Sequence, residues 1–281
     1  MRRAPFLLFL ASLAPAGDSL DEEWVKRDVA AARRIVEALP SGEVKLDAFL
    51  KKLGASSTEE DRPIAFGARR LRLAVYGGYT STWVTVISWN GVVGPMEVFC
   101  YDGDREVWAQ LKDRIAAEYK GREPAIEEAG LRATIGRQAE PLAFGDARCK
   151  VLGPPLAIDP DPAVAAAYHL LWSPFSNLAY GAMQGEGGDK PDGRVAMEAL
   201  LAHAQGASLL DDVLRGPNPE GRLYAAEGLL RLEKKGRKLR DEERKAIDWV
   251  RTSDVKIQVC RGCEGSWEPG ATALDEMLKE E

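Results

Sequence analysis

The strongest constraint on this chain is the run Gly216-Pro217-Asn218-Pro219-Glu220-Gly221-Arg222. Two prolines one residue apart forbid a continuous helix, because each lacks the N–H that the helix ladder needs and its ring clashes with the preceding turn. The run therefore ends one helical pattern and starts another. Asn218 is suited to the N-cap and Pro219 to the first helical position, where its missing N–H costs nothing. After it, Leu223, Ala226 and Leu230 recur at helical spacing, with Leu232 beyond them. Arg222, Glu227, Arg231 and Lys234 fall between. That period predicts a half-buried helix, with Gly236 as its stop.

A related start lies upstream, where Pro191-Asp192-Gly193-Arg194-Val195 echoes Pro219-Glu220-Gly221-Arg222-Leu223. Between the two starts the pattern predicts helices at 194–204 and 207–214. Two copies are fewer than a free-standing solenoid needs, so these helices are expected to pack on another part of the chain.

The stretch from Leu209 through Asp211-Asp212, Asn218-Pro219-Glu220 and Arg222 to Leu230 resembles a HEAT-type helical repeat: a Leu-rich helix, an Asn-Pro-Glu turn, an Arg, then an Ala-rich helix. The likeness covers residues 191–235 and departs from the family at Gly221, where an apolar residue is usual. It implies stacked helix pairs and a binding or scaffolding role.

Ahead of this region the period changes. Ser19-Leu20-Asp21-Glu22 matches a capping box, and a helix is expected to Leu39 with Val25, Val29, Ala32, Val36 and Leu39 on one face. A second helix is expected at 44–53, then a polar loop at 55–62. From Leu71 the apolar residues alternate, which is the period of a strand. Asn90-Gly91 is the favoured two-residue hairpin turn between strands at 83–89 and 92–101. A helix follows at 104–119, and strands are expected at 131–135 and 147–152. The predicted fold class is thus an α+β N-terminal domain, an antiparallel sheet with flanking helices, over residues 19–153. An α-helical, HEAT-like domain is expected over 158–263, with a helix from Asp161-Pro162 and a further turn of helix after Ser173-Pro174. Residues 264–281 read as a weakly ordered tail ending in an acidic helix over 271–281.

Arg2 and Arg3, the apolar run from Pro5 to Leu13, and Ala14-Pro15-Ala16 have the form of a signal peptide, residues 1–16, cleaved near Ala16. Export to the periplasm or the outside is the expectation. Removing Arg2 and Arg3 from 38 basic side chains leaves 36 against 44 acidic ones. That balance argues against nucleic acid or anionic membranes as partners, and no stretch is apolar and long enough for a membrane helix. The partner stays open, with a protein among the candidates. Lys234–Arg240 is basic but runs into Asp241-Glu242-Glu243, as a solvated loop near a helix end would.

The residues with most chemical scope are the cysteines Cys100, Cys149, Cys260 and Cys263. In an oxidising compartment an even number suggests pairing. Strand parity points Cys100 and Cys149 into the sheet core, as a bridge or as two buried thiols. Cys260-Arg261-Gly262-Cys263 has three readings: a structural disulfide, a redox pair, or half of a zinc site, which needs four ligands. No nucleophile elbow, His-Glu-x-x-His, phosphate loop or dinucleotide fingerprint is present. No catalytic residue, metal site or cofactor is assigned. His169 and His203 read as ordinary helix residues, Asp159 and Asp161 as capping, Asp211 and Asp212 as a solvated face. Tyr76, Tyr79, Trp83 and Trp89 read as sheet packing, with an exposed aromatic platform as the alternative. The function expected is an exported protein with a binding or structural role, not an enzyme. The alternative is a thiol–disulfide protein acting through Cys260 and Cys263.

Overall fold

A computed structural model describes residues 20–39, 44–102, 104–119, 124–126, 130–135 and 142–279. The signal-peptide reading, residues 1–16, and Ser19 of the capping box lie outside these residues.

Helix α1, Glu22–Ala38, is capped by Asp21, whose side chain accepts from the Glu23 N–H at 2.8 Å. Its buried face carries Val25, Asp28, Ala31, Ala32, Ile35 and Ala38. Helix α2, Leu46–Leu53, stops at Gly54 in a left-handed conformation (φ 56°). Strands β1 (Ser57–Ala65), β2 (Ala68–Tyr76), β3 (Ser81–Trp89) and β4 (Val92–Tyr101) then form an antiparallel meander. Asn90 and Gly91 both take positive φ, as a two-residue hairpin turn with the right twist requires. After helix α3, Arg105–Ala116, the short β5 (Ala125–Ile126) and β6 (Gly130–Ile135) complete a six-stranded sheet of order β1-β2-β3-β4-β6-β5.

The alternation from Leu71 onward sets the sheet's inner face. Leu73 lies opposite Val84, Val84 opposite Val98, and Val98 opposite Ala133. All four are buried, under Val25 and Ile35 of α1, Phe49 of α2, and Trp108 and Leu111 of α3. Each such aliphatic side chain withdrawn from water contributes roughly 1.5–3 kcal/mol.

Two expectations fail in this half. Residues 57–62, expected in a polar loop, are the start of the edge strand β1. Its side chains Glu59, Glu60, Asp61 and Arg62 hide the strand period, yet their backbone pairs with β2. Residues 147–152, expected as a strand, belong to helix α4, Leu142–Leu152, which packs on helix α9, Asp241–Thr252. Six alternating residues fit either state, and tertiary contact decides: Arg148 and Leu152 turn inward to the second core.

That core belongs to the helical half: α5 (Pro162–Trp172, capped by Asp161), α6 (Asp192–Ala202), α7 (Gly206–Leu214), α8 (Pro219–Lys234), α9, and α10 (Gly270–Met277). Asn218 caps α8 as expected, accepting from the Gly221 N–H at 3.0 Å. The residues after Ser173 form a turn and no helix. The tail is also ordered: β8, Glu264–Pro269, pairs with β7, Lys256–Arg261, and α10 follows directly.

Helix α8 is not half-buried. Every residue from Pro219 to Leu229 is buried, because α5, α6, α7, α9, α10 and β7 surround it. Gly221 allows this: a Cβ there would lie 1.8 Å from the Leu171 carbonyl oxygen, so only glycine lets α5 come so close.

The start of α8 is also where the two halves join. Arg62 of β1 makes a two-pronged pair with Glu220, at 2.8 and 3.0 Å, and Glu220 also accepts from the Gln258 N–H of β7 at 3.1 Å. Arg222 donates to the Ile64 carbonyl at 3.0 Å, Arg70 to the Ser176 carbonyl at 3.0 Å, and Phe66 stacks on Trp249 at 4.7 Å.

Candidate functional site

The Cys260–Cys263 pair lies at the tip of the β7–β8 hairpin. Cys260 faces Gly265 and Arg261 faces Glu264, so Gly262 and Cys263 form a two-residue turn, with Gly262 at φ 62°. Beyond β7, residues 180–185 run alongside as a parallel partner. Tyr180 donates to the Gln258 carbonyl at 2.7 Å and accepts from the Cys260 N–H at 2.9 Å; Gly262 donates to the Met183 carbonyl at 3.3 Å. Gly181 makes this fit possible, since a Cβ there would meet the Cys260 carbonyl at 2.3 Å and its sulfur at 2.7 Å.

Beneath this segment is a closed polar cluster. Glu227 of α8 accepts from the Tyr180 hydroxyl at 2.6 Å and pairs with Arg194 of α6 and, at 2.5 Å, with Arg231. Arg194 also donates to the Gly181 carbonyl at 3.0 Å; Tyr224 donates to the Ala179 carbonyl at 2.8 Å and accepts from the Gly181 N–H at 3.1 Å. The cluster fixes the 179–183 segment against β7. One terminal nitrogen of Arg194, Nη2, has no hydrogen-bond partner.

On the outer side opens a recess of about 200 Å³. Its wall includes Val259, Cys260, Met277 and Met183, and its rim carries Arg261 and Glu276. Arg261 pairs with both Glu276 and Glu268, which raises its own pKa. The Arg261 and Ser266 hydrogen bonds hold the Glu268 carboxyl down at about 2. Burial pushes the Cys260 thiol up, against the opposing pull of its own backbone N–H and of the Arg194 and Arg261 guanidinium groups. Met183 is 57 % exposed at the mouth, whereas Cys260 and Met277 are buried in the wall.

The structure separates the other candidates from this site. All four cysteines are free thiols. Cys100 is buried in β4, as parity requires, and burial pushes its thiol pKa up against the hydrogen bonds of Thr82 and Thr80. Cys149 is half-buried on α4, so it does not share a sheet with Cys100. Cys263 is exposed. Among the described residues no three His, Cys, Asp or Glu side chains converge as metal ligands. His169 is exposed, and His203 accepts from the Gln205 N–H at the end of α6.

Asp211 and Asp212 do not form a solvated face. Asp212 accepts from the Tyr168 hydroxyl at 2.7 Å and from the Leu156 N–H; Asp211 pairs with Arg215 and Arg240. Burial raises the Asp211 pKa against the pull of Arg215. The basic run is likewise engaged: Arg237 and Arg240 pair with the buried Glu243.

The four aromatics named above do not cluster. Trp89 donates to the Phe66 carbonyl at 2.9 Å at the joint, and Tyr79 accepts from the Asp21 N–H at 2.9 Å. Tyr76 is exposed. Trp83 instead stacks on Tyr101 at 4.8 Å on the outer sheet face, with Arg72 over its ring and Arg132 over Phe99.

Sequence reasoning reached the cysteine pair but missed Met183, Met277, Arg194 and Glu227. Their positions, 11 to 94 residues apart in sequence, carry no spacing signal. Comparisons with family models, with curated proteins and with solved structures each return no match.

Proposed function

We infer that this is an exported, non-catalytic binding protein whose binding site is the recess beside the cysteine hairpin. The observation that carries this reading is the contrast in how side chains are used. The buried charges Glu227 and Arg194, and Asp211 and Arg215, pair with one another, whereas the recess, lined by Ala182, Val259, Ala273 and Met277, is left open to a ligand. Its volume is below the several hundred Å³ of drug-sized sites, so it suits a very small ligand or a single side chain of a partner. The local resemblance to HEAT-type repeats, a family that mostly binds or scaffolds, is in keeping with this. Export rests on the N-terminal segment alone.

Thiol–disulfide exchange through Cys260 and Cys263 has less support. A working dithiol gains its low pKa from a helix N-terminus, and this pair lies on a hairpin with Cys260 buried.

A thermal-shift screen with small apolar and thioether fragments tests the reading. A ligand at 100 times its Kd stabilises by about 2.7 kcal/mol. Such fragments are expected to raise the Tm of the wild type and not of Ala182→Phe, which fills the recess from its wall. Equal shifts in both proteins, or none in either, would overturn it.

A further inference from the structure

The recess lies on one face of the β7–β8 hairpin. Side chains alternate along a strand, and opposed residues share a face. Ile257, Val259 and Arg261 of β7 therefore stand on the same side as Glu268, Ser266 and Glu264 of β8. Helix α10 lies against this side and contributes Ala273, Glu276 and Met277 to the recess. The Cys260 side chain turns the other way, against Gly181. The recess thus has an apolar floor, Ala182, Val259, Ala273 and Met277. Around it stand one cation, Arg261, and three carboxylates, Glu264, Glu268 and Glu276. We propose that the recess receives a lysine side chain of a partner protein, its alkyl stem against the apolar floor and its ammonium on Glu276. This rests on the reading of the recess as the binding site and names what fills it.

The charge around the recess selects a cation. One guanidinium against three carboxylates leaves negative charge in excess, so an anionic ligand is repelled and a neutral one leaves the excess unanswered. Glu268 gives both of its oxygens to Arg261, whereas Glu276 gives one and keeps the other open to a second donor. Lys279 follows one turn later on α10, yet among the described residues the ion pairs of Glu276 are with Arg261 alone. A lysine lays its methylenes on apolar surface and holds its ammonium at the boundary with water, where the half-exposed Glu276 stands. Met183, exposed and unbranched, is suited to lie along that stem at the mouth. Magnitude decides between a free amine and a side chain. Each buried methylene is worth about fourfold in affinity, so the stem of a lysine gives millimolar binding at best. A partner protein adds contacts outside the recess, and a free amine of that size has none to add.

Met183 and Met277 line the recess and make it its own reporter. The full chain, isotope-labelled at its methionine methyl groups, is titrated in the NMR spectrometer with three probes: N-acetyl-lysine methylamide, its uncharged counterpart N-acetyl-norleucine methylamide, and pentylamine. Met183→Leu and Met277→Leu assign the two signals, since Met→Leu nearly conserves volume. The capped lysine is expected to shift both signals and to bind about threefold to fivefold more tightly than the capped norleucine, the upper range for a partly exposed ion pair. Glu276→Gln should abolish that preference and leave norleucine binding unchanged. High salt should shrink the preference in wild type. Circular dichroism confirms that each variant is folded.

The proposal is overturned if the two capped residues bind equally, or if Glu276→Gln leaves the preference in place. It is equally overturned if pentylamine shifts the methionine signals and the capped lysine does not, the pattern of a site for free amines. A lysine failure in which apolar fragments still stabilise wild type but not Ala182→Phe sinks the lysine alone and leaves the binding site standing. Failure of both sinks the site as well.

Discussion

The two cores of this protein solve burial in opposite ways. Beneath the six-stranded sheet, the core is built from one face of each strand, and its side chains are almost all apolar. Asp28 is its ionic exception, and it is spent on the turn after β2, accepting from the N–H groups of Gly78, Tyr79 and Thr80 at 2.8–3.0 Å. Around α8 the core has no outer face. Arg222, Glu220 and Glu227 are each at most 1 % exposed, so the polar side of that helix is buried along with its apolar side. A sheet can send its charges to solvent by alternation. A helix surrounded by neighbours cannot, and each charge there needs a partner of opposite sign or a carbonyl.

The sharpest way to break that contrast is at Glu227. Glu227→Ala leaves Arg194 and Arg231 facing each other without their shared carboxylate, and removes the acceptor of the Tyr180 hydroxyl. Breaking a buried pair from one side costs about 3–5 kcal/mol. Urea unfolding should show a loss of that size, and a loss under about 1 kcal/mol would mean that the cluster is hydrated and not the closed unit described here.

Leu73→Ala probes the other core, where only volume and apolar surface are lost. The expected cost is about 2–4 kcal/mol, in the range for buried Leu→Ala changes. Its dependence on salt should be flat, because the substitution unpairs no charge, and a marked salt dependence would mean that Leu73 is coupled to a charge such as Asp28.

The smallest expected effect is at the hairpin, where the ions are partly solvated. The Glu268 carboxyl is held at about 2, below its unfolded value of about 4.3. A depressed carboxylate stabilises the fold above the unfolded value, and that contribution is lost as pH falls from about 4 through about 2. Trp267 neighbours it on β8 and is 46 % exposed, so its fluorescence should report loosening over that window. Glu268→Gln should remove the transition; a transition that persists belongs to another carboxylate.

Local chemistry explains why some of this was readable in advance. The Asn218-Pro219 start of α8, the Asp161 cap of α5, the Asn90-Gly91 turn and the inward parity of Cys100 all depend on residues within a few positions of one another. Periodicity failed where it was short or masked by charge. Residues 147–152 alternate for only six positions and became helix α4. Strand β1 begins with charged side chains that serve the joint with the helical half through Arg62 and Glu220. Cys260 and Cys263 were visible as a pair, but the recess was not, because Met183 and Met277 reach it from a loop and from α10.

What the sequence determined by itself was the set of elements whose signals are local: caps, turns, the alternating sheet face and the helix starts at prolines. Only the tertiary structure decided which charges are inside. Glu220 and Glu227, seven residues apart on α8, have the spacing of an exposed helix face, and nothing in that spacing tells how many neighbours will surround the helix. Periodicity reports one covered face; the closure of α8 on every side is a property of six other elements, and the ion pairs follow from it.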